Sequence, residues 1–195
     1  MQISINSYLP TTDVEGPNTR FCIWTQGCSI RCKGCANSHM WDKSKGVFYE
    51  VEDLVDLILT YKDKIEGITF LGGEPLDQIE AVTYIAKRMQ EENLTVLVFT
   101  GYDYEDLLKR SDFCVLSKYV DLLIDGRYDS SKRDFSRPWV GSSNQKYRFL
   151  SEKYDESILK KYKNKIEVRI NDKNEIELNG MGDYQKLMKL IRKAS

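Results

Sequence analysis

An α/β fold, specifically an open and partial (β/α) barrel of about five or six units, is predicted by three features of this 195-residue sequence. Strand-like apolar segments alternate with amphipathic helical ones, as parallel strands joined by helical crossovers require. Two of the strand-like segments run directly into glycine, at Gly27 and Gly72-Gly73. The chain is also too short for a closed eight-fold barrel, which typically takes about 250 residues.

Residues 20–26, RFCIWTQ, are rich in β-branched and aromatic types and stop at Gly27, so they read as a buried strand. A cysteine-rich loop follows. Val51, Leu54, Val55, Ile58 and Leu59 then recur at helical spacing with Glu52, Asp53 and Asp56 between them, marking an amphipathic helix. Ile68–Leu71 form a short strand, and Ile79, Val82, Ala86 and Met89 give the next helix its apolar face. Leu94–Thr100 read as a strand, Glu105–Arg110 as a short helix and Val120–Ile124 as another strand. Residues 129–145 are polar and irregular, with Pro138 and Gly141, and form a long ordered loop of the kind that carries function. Beyond it, 167–170 and 175–178 pair as a hairpin across Asn171–Asn174, and 183–193 form a closing helix.

Composition narrows the function classes. Apolar residues at 41% and charged residues at 30% describe a globular chain, neither disordered nor fibrous. Lys plus Arg number 29 against 30 Asp plus Glu, so the net charge of -1 provides no global field for nucleic acid or an anionic membrane. No apolar run is long enough to span a bilayer, and MQISINSYLP lacks the layout of a signal peptide, which predicts a cytoplasmic protein. Five cysteines in such a chain argue against a disulfide framework. Cys22, inside a strand, and Cys114, beside a predicted strand, read as buried thiols. The other three crowd together.

Cys28, Cys32 and Cys35 have the spacing C-x3-C-x2-C on a loop after a strand. Three thiolates can ligate three irons of a [4Fe-4S] cluster, leaving the fourth iron open. An open iron suits chelation by the amino and carboxylate groups of S-adenosylmethionine, with Arg31 and Lys33 offsetting the negative thiolates. The alternative is a structural zinc site completed by the only histidine, as Cys28, Cys32, Cys35 and His39. A zinc staple normally supports a small module, whereas this loop sits within a βα alternation that has its own core.

The spacing of the three cysteines and the segment Gly72-Gly73-Glu74-Pro75 together resemble the two signatures of the radical S-adenosylmethionine superfamily. The resemblance implies that the Gly-Gly-Glu-Pro backbone receives the methionine ammonium group. Two glycines allow close backbone approach, Glu74 favours a cation and Pro75 fixes the turn. Bulk at Gly73 is then expected to weaken cofactor binding without removing iron.

Four further segments resemble the glycyl-radical-enzyme activases, above all the branch that activates anaerobic ribonucleotide reductase. They are Glu15 to Arg20, Cys35-Ala36-Asn37 through Trp41-Asp42, Phe99 to Tyr102 with Glu105 to Leu107, and Asp125-Gly126 with Gly141 to Gln145. Gly34, before the third cysteine, also matches that branch. The resemblance implies reductive cleavage of S-adenosylmethionine to a 5′-deoxyadenosyl radical, which takes a hydrogen from a glycine of a reductase large subunit. It implies a one-electron donor such as flavodoxin or ferredoxin, with no nucleic-acid or membrane partner.

Cys28, Cys32 and Cys35 are the expected cluster ligands. Gly34, Asn37, Gly72, Gly73, Glu74, Pro75, Thr100, Asp125 and Asn144 are the expected cofactor-side residues. Thr100 and Asp125 fall at predicted strand C-terminal ends, where barrel-type folds collect functional groups. Asn144 and Gln145 can offer side-chain amides to a ribose or carboxylate, or else stabilise their own loop. Residues 1–150 are expected to form the radical S-adenosylmethionine core, with the cluster loop at 27–37. Residues 151–195 are expected to add a helix, a hairpin and a helix packed on the same domain. The other readings of this sequence are a radical enzyme acting on a peptide or small metabolite, and a non-catalytic zinc-binding module.

Overall fold

The computed structural model describes residues 1–171, 174–184, 186, 187 and 189. The chain opens with β1 (Gln2–Thr12), which pairs antiparallel on one side with β2 (Arg20–Thr25) and on the other with β3 (Val47–Glu50). The next strands are β4 (Gly67–Gly72), β5 (Thr95–Phe99), β6 (Leu122–Asp125) and β7 (Lys146–Phe149). They complete a seven-stranded sheet of order β3-β1-β2-β4-β5-β6-β7. β2, β4, β5 and β6 run parallel, and β7 returns antiparallel to β6.

The six residues of β2, and the first five of β4, are buried. That continuous burial suits parallel strands covered on both faces. One face is covered by α1 (Val51–Leu59) and α2 (Ile79–Glu91), whose apolar stripes pack on Ile23, Ile68, Phe70, Val96 and Val98. Val51, Leu54, Val55 and Ile58 are each buried, and such side chains contribute about 1.5–3 kcal/mol apiece. On the opposite face Leu97, Leu122 and Ile124 meet Trp139, Val140, Tyr154 and Ile158.

The parallel run is four strands, fewer than the five or six units expected, because the chain reverses direction at both edges of the sheet. β1 falls outside the sequence expectation. Register shifts between Ile5 and Ser7, and again between Leu9 and Thr12, interrupt its alternation of faces. The expected helix after β5 is two short ones, α3 (Tyr104–Leu107) and α4 (Ser111–Leu116). Cys114 lies on α4 and is exposed, contrary to expectation, because Phe113 and Leu116 take the inward face of that helix. Cys22 is buried as expected.

After residue 150 come α5 (Ile158–Lys161) and an antiparallel hairpin of β8 (Ile166–Ile170) and β9 (Ile176–Gly180). The closing helix expected over 183–193 lies partly outside the described residues; Tyr184, Lys186, Leu187 and Lys189 are helical. Lys160, Lys161, Lys163 and Lys165 form an exposed face. Two buried polar groups join this region to the strand starts. The Glu15 carboxylate accepts the Gly180 N–H at 2.6 Å, and burial pushes its pKa up to about 7. The fully buried Arg20 reaches the Thr69 and Thr95 hydroxyls, the carbonyls of Pro17, Ile68 and Thr95, and the Tyr154 hydroxyl. Among the described residues, no helix is long and apolar enough to cross a membrane.

Candidate functional site

The C-terminal ends of parallel strands are where α/β folds gather their binding groups, and the cysteine loop leaves the end of β2. Gly27 has φ +99°, a conformation that favours glycine and turns the chain out of the strand. The loop is then tied back to its own start: Gly27 N–H donates to the Met40 carbonyl at 2.8 Å, and Cys28 N–H to that of Trp41 at 3.2 Å. Inside it, the Cys35 N–H bonds to the Cys32 carbonyl at 3.2 Å, and the Asn37 N–H donates to Cys35 Sγ at 3.3 Å. Gly34 sits at φ +79°, and a Cβ there would lie 3.3 Å from Ser130 Cβ, so the loop also packs on the segment after β6.

Cys28, Cys32 and Cys35 are all half-buried. Burial raises each thiol above its ordinary pKa; charge on Cys35 raises Cys32 further, and charge on Cys28 raises Cys35. Three partly desolvated thiols on one loop are a donor set that a cationic iron–sulfur core would favour in the thiolate form. Among the described residues, no three His, Cys, Asp or Glu side chains are already closed around one metal position. The thiols share the loop and sense one another across it. The indole N–H of Trp41 is buried with no hydrogen-bond partner among the described residues, yet it lies close enough to Cys35 to lower that thiol's pKa against the effect of burial.

The Gly72–Pro75 segment is pressed against the start of this loop. Gly72 has φ +102°, the Gly73 N–H donates to the Thr25 carbonyl at 2.8 Å, and the Glu74 N–H to that of Gly27 at 2.9 Å. A Cβ on Gly73 would stand 2.2 Å from the Gly27 carbonyl oxygen, so the two backbones touch with no room for a side chain. Glu74 points inward. Its Oε1 accepts from the Leu76 N–H at 3.0 Å and the Thr100 hydroxyl at 2.8 Å, and its Oε2 from the Gly101 N–H at 2.8 Å. Burial raises its pKa to about 7. The Glu74 carboxyl is buried and braces the ends of β4 and β5.

The other expected residues fall on the same rim of the sheet. Thr100 is buried and committed to Glu74. Asp125 is buried, accepts from Arg148 Nε at 2.8 Å and receives the Tyr104 N–H at 3.2 Å. Asn144 donates to the Arg127 carbonyl at 2.7 Å, while its Oδ1 is buried without a partner among the described residues. Gln145 is spent on its own loop, accepting the Gly141 and Ser142 N–H groups at 2.9 and 3.2 Å. His39 is exposed.

Sequence reasoning missed a second junction: Asp77 accepts from the Ser29 N–H at 2.7 Å, the Ser29 hydroxyl at 2.8 Å and the Tyr102 hydroxyl at 2.9 Å. It links the loops after β2, β4 and β5. The only sequence hint was the position of Asp77 and Tyr102 just beyond recognised motifs. Two clefts flank the cysteine loop. One, of about 600 Å³, is bordered by Cys28, Arg31, His39, Trp41, Lys43 and Asp77. The other, of about 520 Å³, is bordered by Lys33, Asp103, Arg127, Tyr128, Ser130 and Asn144.

The loop with three thiols lies at the end of a parallel strand, set against a Gly-Gly turn, and residues 14–148 match the 4Fe-4S single cluster domain family. The match supports a 4Fe-4S cluster domain rather than a zinc-binding module. The chain is also 34% identical over 145 residues to the anaerobic ribonucleoside-triphosphate reductase-activating protein of Haemophilus influenzae, covering 71% of this chain and 92% of that one. It is 31% identical to the protein of the same name from Enterobacteria phage T4, over 70% of this chain and 88% of that one. A pyruvate formate-lyase-activating enzyme from Clostridium pasteurianum is 35% identical over 55% of this chain and 49% of its own length. The chain belongs to the anaerobic ribonucleoside-triphosphate reductase-activating protein family, an activating-enzyme branch of the radical S-adenosylmethionine enzymes.

Proposed function

We propose that this protein is the activating enzyme of an anaerobic ribonucleotide reductase, forming a glycine-centred radical on that partner. The observation that supports the reading is the contact between the three-cysteine loop and the Gly72-Gly73 turn at one strand junction. Cys28, Cys32 and Cys35 would hold a [4Fe-4S] cluster that, once reduced by a one-electron donor, would supply the electron for cleavage of S-adenosylmethionine to methionine and a 5′-deoxyadenosyl radical, which would take the glycine hydrogen.

The residues of this chain divide the remaining work. Cys28, Cys32 and Cys35 hold the cluster, and the Asn37 N–H directed at Cys35 Sγ stabilises thiolate charge. The backbone at Gly72, Gly73 and Pro75 lies beside that loop and suits an ammonium group. Glu74 and Thr100 fix the rim on which this backbone stands, and Asp125 with Arg148 fixes the neighbouring one. The unpartnered Oδ1 of Asn144 is an acceptor for a ligand hydroxyl or ammonium group. Positioning a reactive carbon near one Cα–H is the main task left to the protein, since no acid–base step is needed. Residues 1–150 act as the core and 151–195 as an extension on the same domain. Among the described residues the sheet ends in β3 and β7, and on this reading it curves as a partial barrel whose mouth admits a glycine-bearing loop. A flavodoxin or ferredoxin is the fitting class of electron donor.

The test is anaerobic reduction of the iron-loaded protein with S-adenosylmethionine and the reductase encoded beside it. The expected result is an electron paramagnetic resonance doublet from the glycine α-hydrogen, with deuterium from labelled glycine appearing in 5′-deoxyadenosine. Vigorous cleavage with no deuterium transfer overturns the activase reading in favour of a peptide or metabolite substrate.

A further inference from the structure

Asn164 lies between α5 and β8, beyond the 14–148 family match, and spends its whole amide on one distant segment. Its Oδ1 accepts the Trp139 N–H at 2.6 Å. Its Nδ2 donates to the carbonyls of Arg137 at 2.7 Å, Val140 at 3.1 Å and Phe135 at 3.2 Å. These contacts satisfy backbone groups over Phe135–Val140, the run that leads directly into Gly141–Gln145. Trp139 sits there at φ +61°, in the left-handed region that bulky residues rarely adopt. Its indole is 1% exposed and its ring centroid is 5.2 Å from that of Tyr162. The Tyr162 hydroxyl in turn donates to Asn18 Oδ1 at 2.6 Å, just before β2.

The fixed segment has a direct mechanical link to the site. Arg137, whose carbonyl Asn164 holds, donates to the carbonyls of Ser142 and Gln145, both at 3.1 Å. Those two residues flank Asn144, which borders the cleft beside the cysteine loop and whose buried Oδ1 has no hydrogen-bond partner among the described residues. We propose that Asn164 is a positioning residue: it locks residues 135–140 and thereby sets where Asn144 stands in the cofactor site. This rests on the reading of the site given above, although the brace can be measured apart from it. An aspartate at 164 would keep an acceptor for the Trp139 N–H but set carboxylate oxygen against three carbonyl oxygens. N164D should therefore perturb the loop more than N164A, the reverse of what a space-filling role predicts.

The experiment compares full-length, iron-loaded wild type, N164A and N164D by amide hydrogen exchange, iron content and S-adenosylmethionine binding. Exchange over 135–145 should accelerate at least about tenfold, more in N164D than in N164A, with protection of β4 and β5 unchanged. S-adenosylmethionine affinity should fall about tenfold at constant iron content, since loss of loop order displaces a contact without touching a thiolate. If N164D fails to fold, N164A, which only deletes the bonds, carries the comparison. Unaltered exchange over 135–145 overturns the brace. Faster loop exchange with unaltered S-adenosylmethionine affinity overturns the positioning role. Failure of the site reading itself is separate, because it shows as absent S-adenosylmethionine binding in the wild type.

Discussion

Glu74 offers a test of the strand-end brace that needs no cofactor. Burial raises its carboxyl pKa from 4.5 to about 7, so between those values the folded chain keeps a proton that the unfolded chain has released. Stability therefore falls as pH rises through this window, by up to about 1.4 kcal/mol per unit and ~3 kcal/mol in all. The contribution is complete below pH 4.5 and gone above the folded pKa. Glu15 behaves in the same way, raised to about 7 by its own burial. Glu74→Gln deletes one of the two titrations and should roughly halve the slope. It also imposes a constant penalty of about 1–3 kcal/mol, because an amide N–H must replace an oxygen that now accepts from Gly101 or from Thr100 and Leu76. Urea unfolding of the full chain and the variant, from pH 4.5 to 7.5 at fixed ionic strength, reads both terms. The wild-type advantage at pH 4.5 should shrink by ~3 kcal/mol at the upper end. Parallel stability curves would refute the assignment of a buried, proton-holding carboxyl.

Alanine at Cys28, Cys32 or Cys35 should each abolish the cluster, read as loss of bound iron, sulfide and visible absorption, while Cys22→Ala and Cys114→Ala retain them. Retention of a full cluster by one of the first three would show that its ligand was misassigned. Gly73→Val should lower iron content as well as S-adenosylmethionine affinity, because its Cβ would be driven against the Gly27 carbonyl at the root of the cysteine loop. A folded variant with full iron and unaltered affinity would remove that turn from the site.

The parts of the fold legible in the sequence are those where burial writes a period. α1 and α2 show apolar stripes, and β2, β4 and β5 are short apolar runs ending near glycine. β1 was hidden because its bulges break the alternation that marks a strand, and β7 because Lys146-Tyr147-Arg148-Phe149 is only partly buried. The cysteine loop was legible for a chemical reason: thiol spacing is constrained by a cluster whatever the surrounding fold. The bonds of Glu74 to Thr100 and Gly101 were not legible, since a motif gives no sign of which side of a strand end a carboxyl faces. Asp77 was missed because its partners, Ser29 and Tyr102, are distant in sequence and meet only when three strands align.

Arg20 carries a consequence for how the chain assembles. Its guanidinium is fully buried, and its hydrogen-bond acceptors come from residues 17, 68, 69, 95 and 154. A desolvated cation stripped of such partners is strongly unfavourable. No early fragment holding β2 alone can therefore bury this side chain; the penalty is lifted only once β4 and β5 have docked and Tyr154 has arrived. Arg20 thus couples late-synthesised sequence to early sequence in a single cooperative step, and partly assembled sheets that lack Tyr154 are disfavoured. A chain interrupted near residue 150 would have to fold around a hole beside its most buried charge.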